Sequence, residues 1–192
     1  MSRMMKSMVA LLAIAAFAAP AMAATVYEKD GFKYSIKGDW QIQLRQDIGQ
    51  DQELDVEYDD LEIKNSVSYD LDNGMTAFGQ IDFGFKNAAD DSDEAPHLEE
   101  AYIGFGFDKV SVMFGKTDSA GADFGIEGAI EEPLKEDAFD RVAFTDGDDL
   151  IKATADFGPV SVIVAHELEA ESEASANGTF TDILVTAEFA GV

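Results

Sequence analysis

An alternation of period two runs unbroken from Phe32 to Arg45, and it constrains this chain more than any other feature. Phe32, Tyr34, Ile36, Gly38, Trp40, Ile42 and Leu44 are apolar or glycine, while Lys33, Ser35, Lys37, Asp39, Gln41, Gln43 and Arg45 between them are polar or charged. Successive side chains of a strand point to opposite faces, so this segment is predicted to be one strand with an apolar face and a polar face. It is longer than an ordinary soluble strand and suits one tilted across a bilayer.

Less regular copies follow at 59–70, 75–86, 98–107, 110–116, 150–157, 160–168 and 180–189, which predicts an all-β, antiparallel architecture of about eight strands. In the second, Leu61, Ile63, Val67 and Tyr69 oppose Glu62, Lys64, Ser66 and Ser68; in the third, Ala77, Ile81, Phe83 and Phe85 oppose Thr76, Gln80, Asp82 and Lys86. The fourth and fifth are apolar on both faces, which leaves their orientation open. The connections alternate in length. Short turns fall at Leu71-Asp72-Asn73-Gly74, Asp108-Lys109 and Gly158-Pro159, and long polar segments at 47–57, 87–96, 118–149 and 169–178. Asn-Gly and Gly-Pro are strong turn formers. Short turns on one side and long loops on the other are the pattern of a transmembrane β-barrel. A soluble sandwich or lipocalin-like barrel could alternate too, with its apolar face turned inward, but it gives no reason for that asymmetry.

Residues 1–23 read as an export signal. Arg3 and Lys6 make a basic start, an apolar run too short to span a bilayer follows, and Ala21-Met22-Ala23 is a small-x-small cleavage pattern. The mature segment, 24–192, is then about 170 residues, enough for one domain. The whole chain has a formal charge of −26, and losing a leader that carries only basic charge makes it more negative still. Such a field repels nucleic acid and attracts cations. With no cysteine and only His97 and His166 as histidines, disulfides, thiolate metal sites and cysteine nucleophiles are excluded. The 14 Phe and 5 Tyr suit a barrel with aromatic girdles, and Trp40 lies on the apolar side of its strand.

Several segments, in order, resemble the Gram-negative general diffusion porins. They are Ala24-Thr25-Val26-Tyr27-Glu28-Lys29-Asp30-Gly31 at the mature start, Met75-Thr76-Ala77-Phe78-Gly79-Gln80-Ile81-Asp82-Phe83, Glu100-Ala101-Tyr102-Ile103-Gly104-Phe105 and Val112-Met113-Phe114-Gly115-Lys116. The resemblance covers nearly all of 24–192 and about the first half of a family member. It implies a barrel of about sixteen strands in the complete pore, a homotrimer in the outer membrane of a Gram-negative bacterium, and a third external loop folded inward to narrow the pore. Residues 118–149 match that loop. Within it Ala122-Asp123-Phe124-Gly125-Ile126-Glu127-Gly128 resembles the family's acidic, glycine-containing segment, making Asp123 and Glu127 the candidate constriction carboxylates. In better-known members the facing wall is rich in arginine. Here Glu62 and Glu99 fall near two of those positions and Asp39 near a lysine, and Lys152 alone matches a basic wall position. By alternation Lys33, Lys37, Arg45, Lys64 and Lys86 are candidates to line the lumen. The chain stops at Phe189-Ala190-Gly191-Val192 rather than on a terminal aromatic residue, which reads as truncation part-way through the barrel. The competing reading is a closed eight-stranded barrel, for which about 170 residues suffice.

Catalytic constellations are sparse. Ser161 and Ser175 near His166 lack a motif that would frame a nucleophile, His97 reads as a surface residue at a loop end, and Gly104-Phe105-Gly106 sits in a strand and opens no phosphate-binding helix. The expectation is a non-enzyme without cofactor. Calcium on the acidic segments Asp90-Asp91-Ser92-Asp93-Glu94 or Asp146-Gly147-Asp148-Asp149 is the one metal option, and neither segment has EF-hand spacing. The functional expectation is a water-filled channel that passes small hydrophilic solutes and ions, with cations preferred. The alternative is a small closed barrel with a structural or adhesion role. N-terminal sequencing of the protein extracted from outer membranes is expected to begin at Ala24, and a retained apolar leader would contradict the export reading.

Overall fold

A computed structural model describes residues 23–46, 53–90, 95–124, 145–168 and 179–188. Nine strands form one sheet: β1 Ala24–Lys29, β2 Phe32–Arg45, β3 Asp55–Asp70, β4 Met75–Gly84, β5 His97–Phe107, β6 Val110–Asp118, β7 Asp146–Asp156, β8 Val160–Glu167 and β9 Thr181–Ala187. Each strand pairs antiparallel with its neighbours in sequence order. A helix of one turn, α1, spans Lys86–Asp90 between β4 and β5. Among the described residues the sheet is open, with β1 and β9 as its edges. None of the described helices is long and apolar enough to cross a membrane.

The strand missed by the alternation is β1. It pairs with β2 from Lys29↔Phe32 onward, but an irregularity between Thr25 and Tyr27 breaks the period. The short turn before β2, Asp30-Gly31, has both residues at positive φ (50° and 81°), the conformation that suits a two-residue hairpin connection. It joins the turns around Asp72-Asn73-Gly74, Asp108 and Gly158, which also contain residues at positive φ. All four short turns therefore fall at one end of the sheet, and the connections β2–β3, β4–β5, β6–β7 and β8–β9 all fall at the other. The third predicted segment ends two residues early. β4 stops at Gly84, and Lys86 opens α1 instead of continuing the strand.

Register fixes the two faces. Val67, Gly79, Ile103, Phe114 and Ile151 lie in one row across β3 to β7, and Tyr69, Ala77, Phe105, Val112, Ala153, Val164 and Ile183 form the next. These rows settle the orientation of β5 and β6. Large apolar side chains on this face are exposed, including Trp40 at 68%, Ile103 at 65% and Ile183 at 65%. The opposite face carries Lys64, Asp82 and Glu100 in register across β3 to β5, and there Asp82 is fully buried. A soluble domain rarely leaves so continuous an apolar face bare. A transmembrane barrel requires it, because its outer side chains meet hydrocarbon and its inner ones meet water. Among the described residues the buried apolar side chains are few. Ala120, Leu150 and Ala165 pack with Ile163, Phe180 and Leu184, where the chain leaving β6 crosses the polar face of β7 to β9.

A charge on the outward face at mid-strand is expected to be costly and the same charge inward tolerated. Ile103→Lys should lower the stability of vesicle-embedded protein by about 2–4 kcal/mol. Tyr102→Lys, one residue along and pointing the other way, should cost much less when both are measured by denaturant unfolding.

Candidate functional site

The polar face concentrates its charges toward the long-loop end of the sheet. On β3, Glu62 and Lys64 point the same way, and Lys64 lies opposite Asp82 of β4. The Lys64 Nζ sits 2.6 Å from Glu62 Oε2 and 2.9 Å from Asp82 Oδ2. These short separations make both contacts ion pairs, and at such distances the charge attraction governs.

A bulge brings in a further carboxylate. Asp82 pairs with Glu100 and Phe83 pairs with Leu98, leaving Glu99 as an extra residue on β5. Strict alternation would send one of the adjacent residues Glu99 and Glu100 to hydrocarbon. The bulge instead turns both toward the polar face, as bulges do when they re-aim side chains. Glu99 then approaches Glu62 and Asp82, with carboxylate oxygens of all three within 4.8 Å of one another, and it also receives His97 Nε2 at 3.2 Å. Glu100 joins a polar ladder across the sheet. Ser66 Oγ donates to Gln80 Oε1 at 3.1 Å, Gln80 Nε2 donates to Glu100 Oε2, and Thr117 Oγ1 donates to Glu100 Oε1 at 3.0 Å.

The second part of the site is the loop leaving β6. Ser119 N donates to Thr145 O at 2.8 Å, which ties the two ends of the loop together. Gly121 N donates to Asp182 Oδ2 of β9 at 2.8 Å, and Ala120 is buried. A 3-10 turn, Ala122–Phe124, then presents Asp123 to Lys152 of β7, with Nζ donating to Oδ2 at 3.1 Å. The Lys152 side chain is only 9% exposed, and the contact offsets part of the cost of burying its ammonium. The loop thus begins by lying on the polar face rather than projecting away from it.

Residues 10–190 match the family model of the Gram-negative porins. The chain belongs to that family. A curated relative, the major outer membrane protein of Pasteurella multocida strain Pm70, is 29% identical over 133 residues, a match that covers 64% of this chain and 38% of that protein. The chain thus spans well under two thirds of the relative's length. Family and relative together place this porin chain in the bacterial outer membrane.

Within the porin, the structure brings together two pairs singled out from the sequence: Asp123 with Lys152, and Glu62 with Glu99. It also puts Lys64 between Glu62 and Asp82. Lys37 lies on the same face, 3.5 Å from Asp39, and Lys33 is paired opposite Ser68 and exposed. Lys86 is exposed at the start of α1, so the alternation that was to carry it into the lumen does not reach it. Arg45 ends β2, but its side chain lies outside the described residues, as do Glu127 and the segment Asp91-Ser92-Asp93-Glu94.

The acidic run Asp146-Gly147-Asp148-Asp149 opens β7. Its backbone N–H groups at Asp148 and Asp149 donate to the buried Glu167 carboxylate at 3.2–3.3 Å, and the Asp148 side chain pairs with Lys116. Residues missed from the sequence are Asp82, Glu100, Glu167 and Asp182. All four needed knowledge of strand pairing, Glu100 because only its register opposite Asp82 orients β5.

The loop contact can be tested directly, because the chain has no native cysteine. A double variant Asp123→Cys, Lys152→Cys is expected to be bridged by a short bis-maleimide in the membrane-embedded protein, giving a faster-migrating band on denaturing gels. A pair with Asn73→Cys at the opposite end of the sheet should give none.

Proposed function

We propose that this chain forms the wall and inward loop of a water-filled channel for passive diffusion of small hydrophilic solutes and ions, and that the channel prefers cations. The observation that carries the reading is the two-faced sheet, apolar and exposed on one side, with a loop tied onto its charged side through Asp123–Lys152. Such a pore performs no bond chemistry, and selectivity follows from width and lining charge.

The preference for cations follows from the sum of the lining. Lys37, Lys64 and Lys152 are engaged by carboxylates, and among the described residues Asp39, Glu62, Asp82, Glu99, Glu100 and Asp182 outnumber Lys33, Lys37, Lys64 and Lys152 on the polar face. A narrow channel with a low-dielectric wall focuses that negative field and concentrates cations. Completion of the open sheet by further strands into a barrel of about sixteen belongs to the same proposal, since an unpaired strand edge in hydrocarbon leaves backbone groups unsatisfied. A cleaved leader and assembly as a homotrimer are carried by the N-terminal sequence pattern and the porin resemblance respectively.

Reversal potentials of the native pore in planar bilayers under a salt gradient are expected to show cation preference. It should grow at low ionic strength, where the Debye length reaches about 30 Å at 0.01 M. Asp123→Asn with Glu127→Gln should reduce the preference, because the first change also releases the Lys152 charge. Anion preference, or selectivity unaltered in the double variant, would overturn the reading.

A further inference from the structure

At the short-turn end, away from the loop and its ion pairs, a cleft of about 440 Å³ is lined by Thr76, Gly106, Ser111, Thr154 and Asp156 together with residues of the β5–β6 turn. Thr76 of β4, Gly106 of β5, Ser111 of β6 and Thr154 of β7 are neighbours in one row across the ladders, on the polar face. Ser111 Oγ and Thr154 Oγ1 lie 2.6 Å apart in one mutual hydrogen bond. That bond uses one of the two O–H groups and leaves the other free to donate, and Thr76 brings a third hydroxyl. Asp156 Oδ1 accepts the Gly158 N–H at 2.7 Å, which orients the carboxylate while its second oxygen can accept from a ligand.

Gly106 is the residue of this row that the fold does not require. A glycine inside a strand costs stability and marks a bulge, a tight bend, or a place where a ligand or another backbone comes close. β5 pairs in regular register with both neighbours at this position, and Gly106 is not among the glycines at positive φ. A Cβ there would meet nothing nearer than Phe78 Cε1 at 3.9 Å and Thr76 O at 4.0 Å. Gly104, on the same face, is the contrast, because a Cβ there would come within 2.5 Å of Phe78 Cζ and 2.6 Å of Val112 O. Gly104 thus makes room for the Phe78 ring, which stands edge-on to Tyr102 and borders the space left open at Gly106. Of the reasons for a strand glycine, the approach of a ligand is the one that remains.

We propose that this cleft binds a neutral monosaccharide, held by the hydroxyls of Thr76, Ser111 and Thr154 and by the Asp156 carboxylate, with Gly106 giving the sugar ring access to the strand backbone. Hydroxyls that both donate and accept suit a ligand that does the same, and the Phe78 ring edge suits its C–H groups. The charged lining, Asp108, Lys109 and Asp156, sums to one negative charge, which turns anions away. The volume is at the low end of the range of about 300–1,000 Å³ found for ligand clefts, and so favours a single ring over a chain. The proposal rests on the pore reading only for its place on a diffusion path, where a sugar moving along the polar face meets the cleft between the inward loop and the short turns. Binding itself does not require flow.

The test uses protein purified from outer membranes in a zwitterionic detergent, which brings no sugar headgroup, titrated with glucose and read by saturation-transfer NMR. A saturable signal with a dissociation constant in the millimolar range is expected. Gly106→Val fills the open space with a residue better suited to a strand than glycine, and should weaken binding by about tenfold or more, as small steric changes in a pocket do, without lowering thermal stability. A glycine kept for the fold alone would give the reverse, lower stability with unchanged affinity. Should Gly106→Val not fold, Gly106→Ala, whose Cβ has room, carries the same test. Thr154→Val keeps the side-chain shape, removes one hydroxyl, and should weaken binding by roughly three- to tenfold, the worth of one ordinary hydrogen bond. Thr186→Val breaks a different hydroxyl pair, Ser161 with Thr186 on β8 and β9, and should leave binding unchanged. Native affinity in the Gly106 variant or in Thr154→Val, weakened binding in Thr186→Val, or a signal that never saturates overturns the site. Because bound sugar is read rather than current, that failure leaves the channel proposal standing, and a loss of cation selectivity leaves the sugar site standing.

Discussion

A strand in hydrocarbon must hydrogen-bond every backbone N–H and C=O to another strand, because no water is there to take their place. The pairing of β1 through β9 in unbroken sequence order meets this demand along the interior of the sheet. Once the backbone is committed in this way, the pleat allots side chains to two environments and nothing between them. Rows such as Val67–Gly79–Ile103–Phe114–Ile151 face outward and the Lys64–Asp82–Glu100 row faces inward. The scarcity of buried apolar residues among those described is a consequence: the apolar surface is matched to lipid instead of being packed into a core.

The inward face has to hold charge in a confined space, and it does so by local compensation. Lys64 sits between two carboxylates, Lys152 faces Asp123, and Glu167 is held by backbone N–H groups of Asp148 and Asp149. An irregularity in the ladder brings Glu99 in beside Asp82, since a regular β5 could not present Glu99 and Glu100 on the same face. The same departure from ideal pairing thus gathers carboxylates of three strands at one place on the polar face.

The loop after β6 turns a sheet into a site. Its first residues are fixed by ordinary means: a backbone bond from Ser119 to Thr145, Gly121 N donating to Asp182, and Ala120 buried with Leu150 and Ala165. Ile163, Phe180 and Leu184 pack against the same small cluster, so the first residues of the segment lie close to the sheet. Asp123 reaches Lys152 because the loop is held down at both neighbouring points.

Alternation and turn chemistry in the sequence determined that the chain is all-β, that its strands carry one apolar and one polar face, and that short turns lie at one end. These are local properties, written in residues one or two apart; Asp123, Lys152, Glu62 and Glu99 were marked as candidates by the resemblance to the porins instead. The tertiary structure decided what local pattern cannot encode. It added β1, whose irregular period hides it. It ended β4 at Gly84 and so withdrew Lys86 from the alternation, and it oriented β5 and β6, whose two faces are both apolar. Above all it joined Glu62, Asp82 and Glu99, residues on three strands, through the register of the ladders and the one-residue bulge. Register depends on pairing partners remote in sequence, and a slip of a single residue would send every one of these side chains to the opposite face.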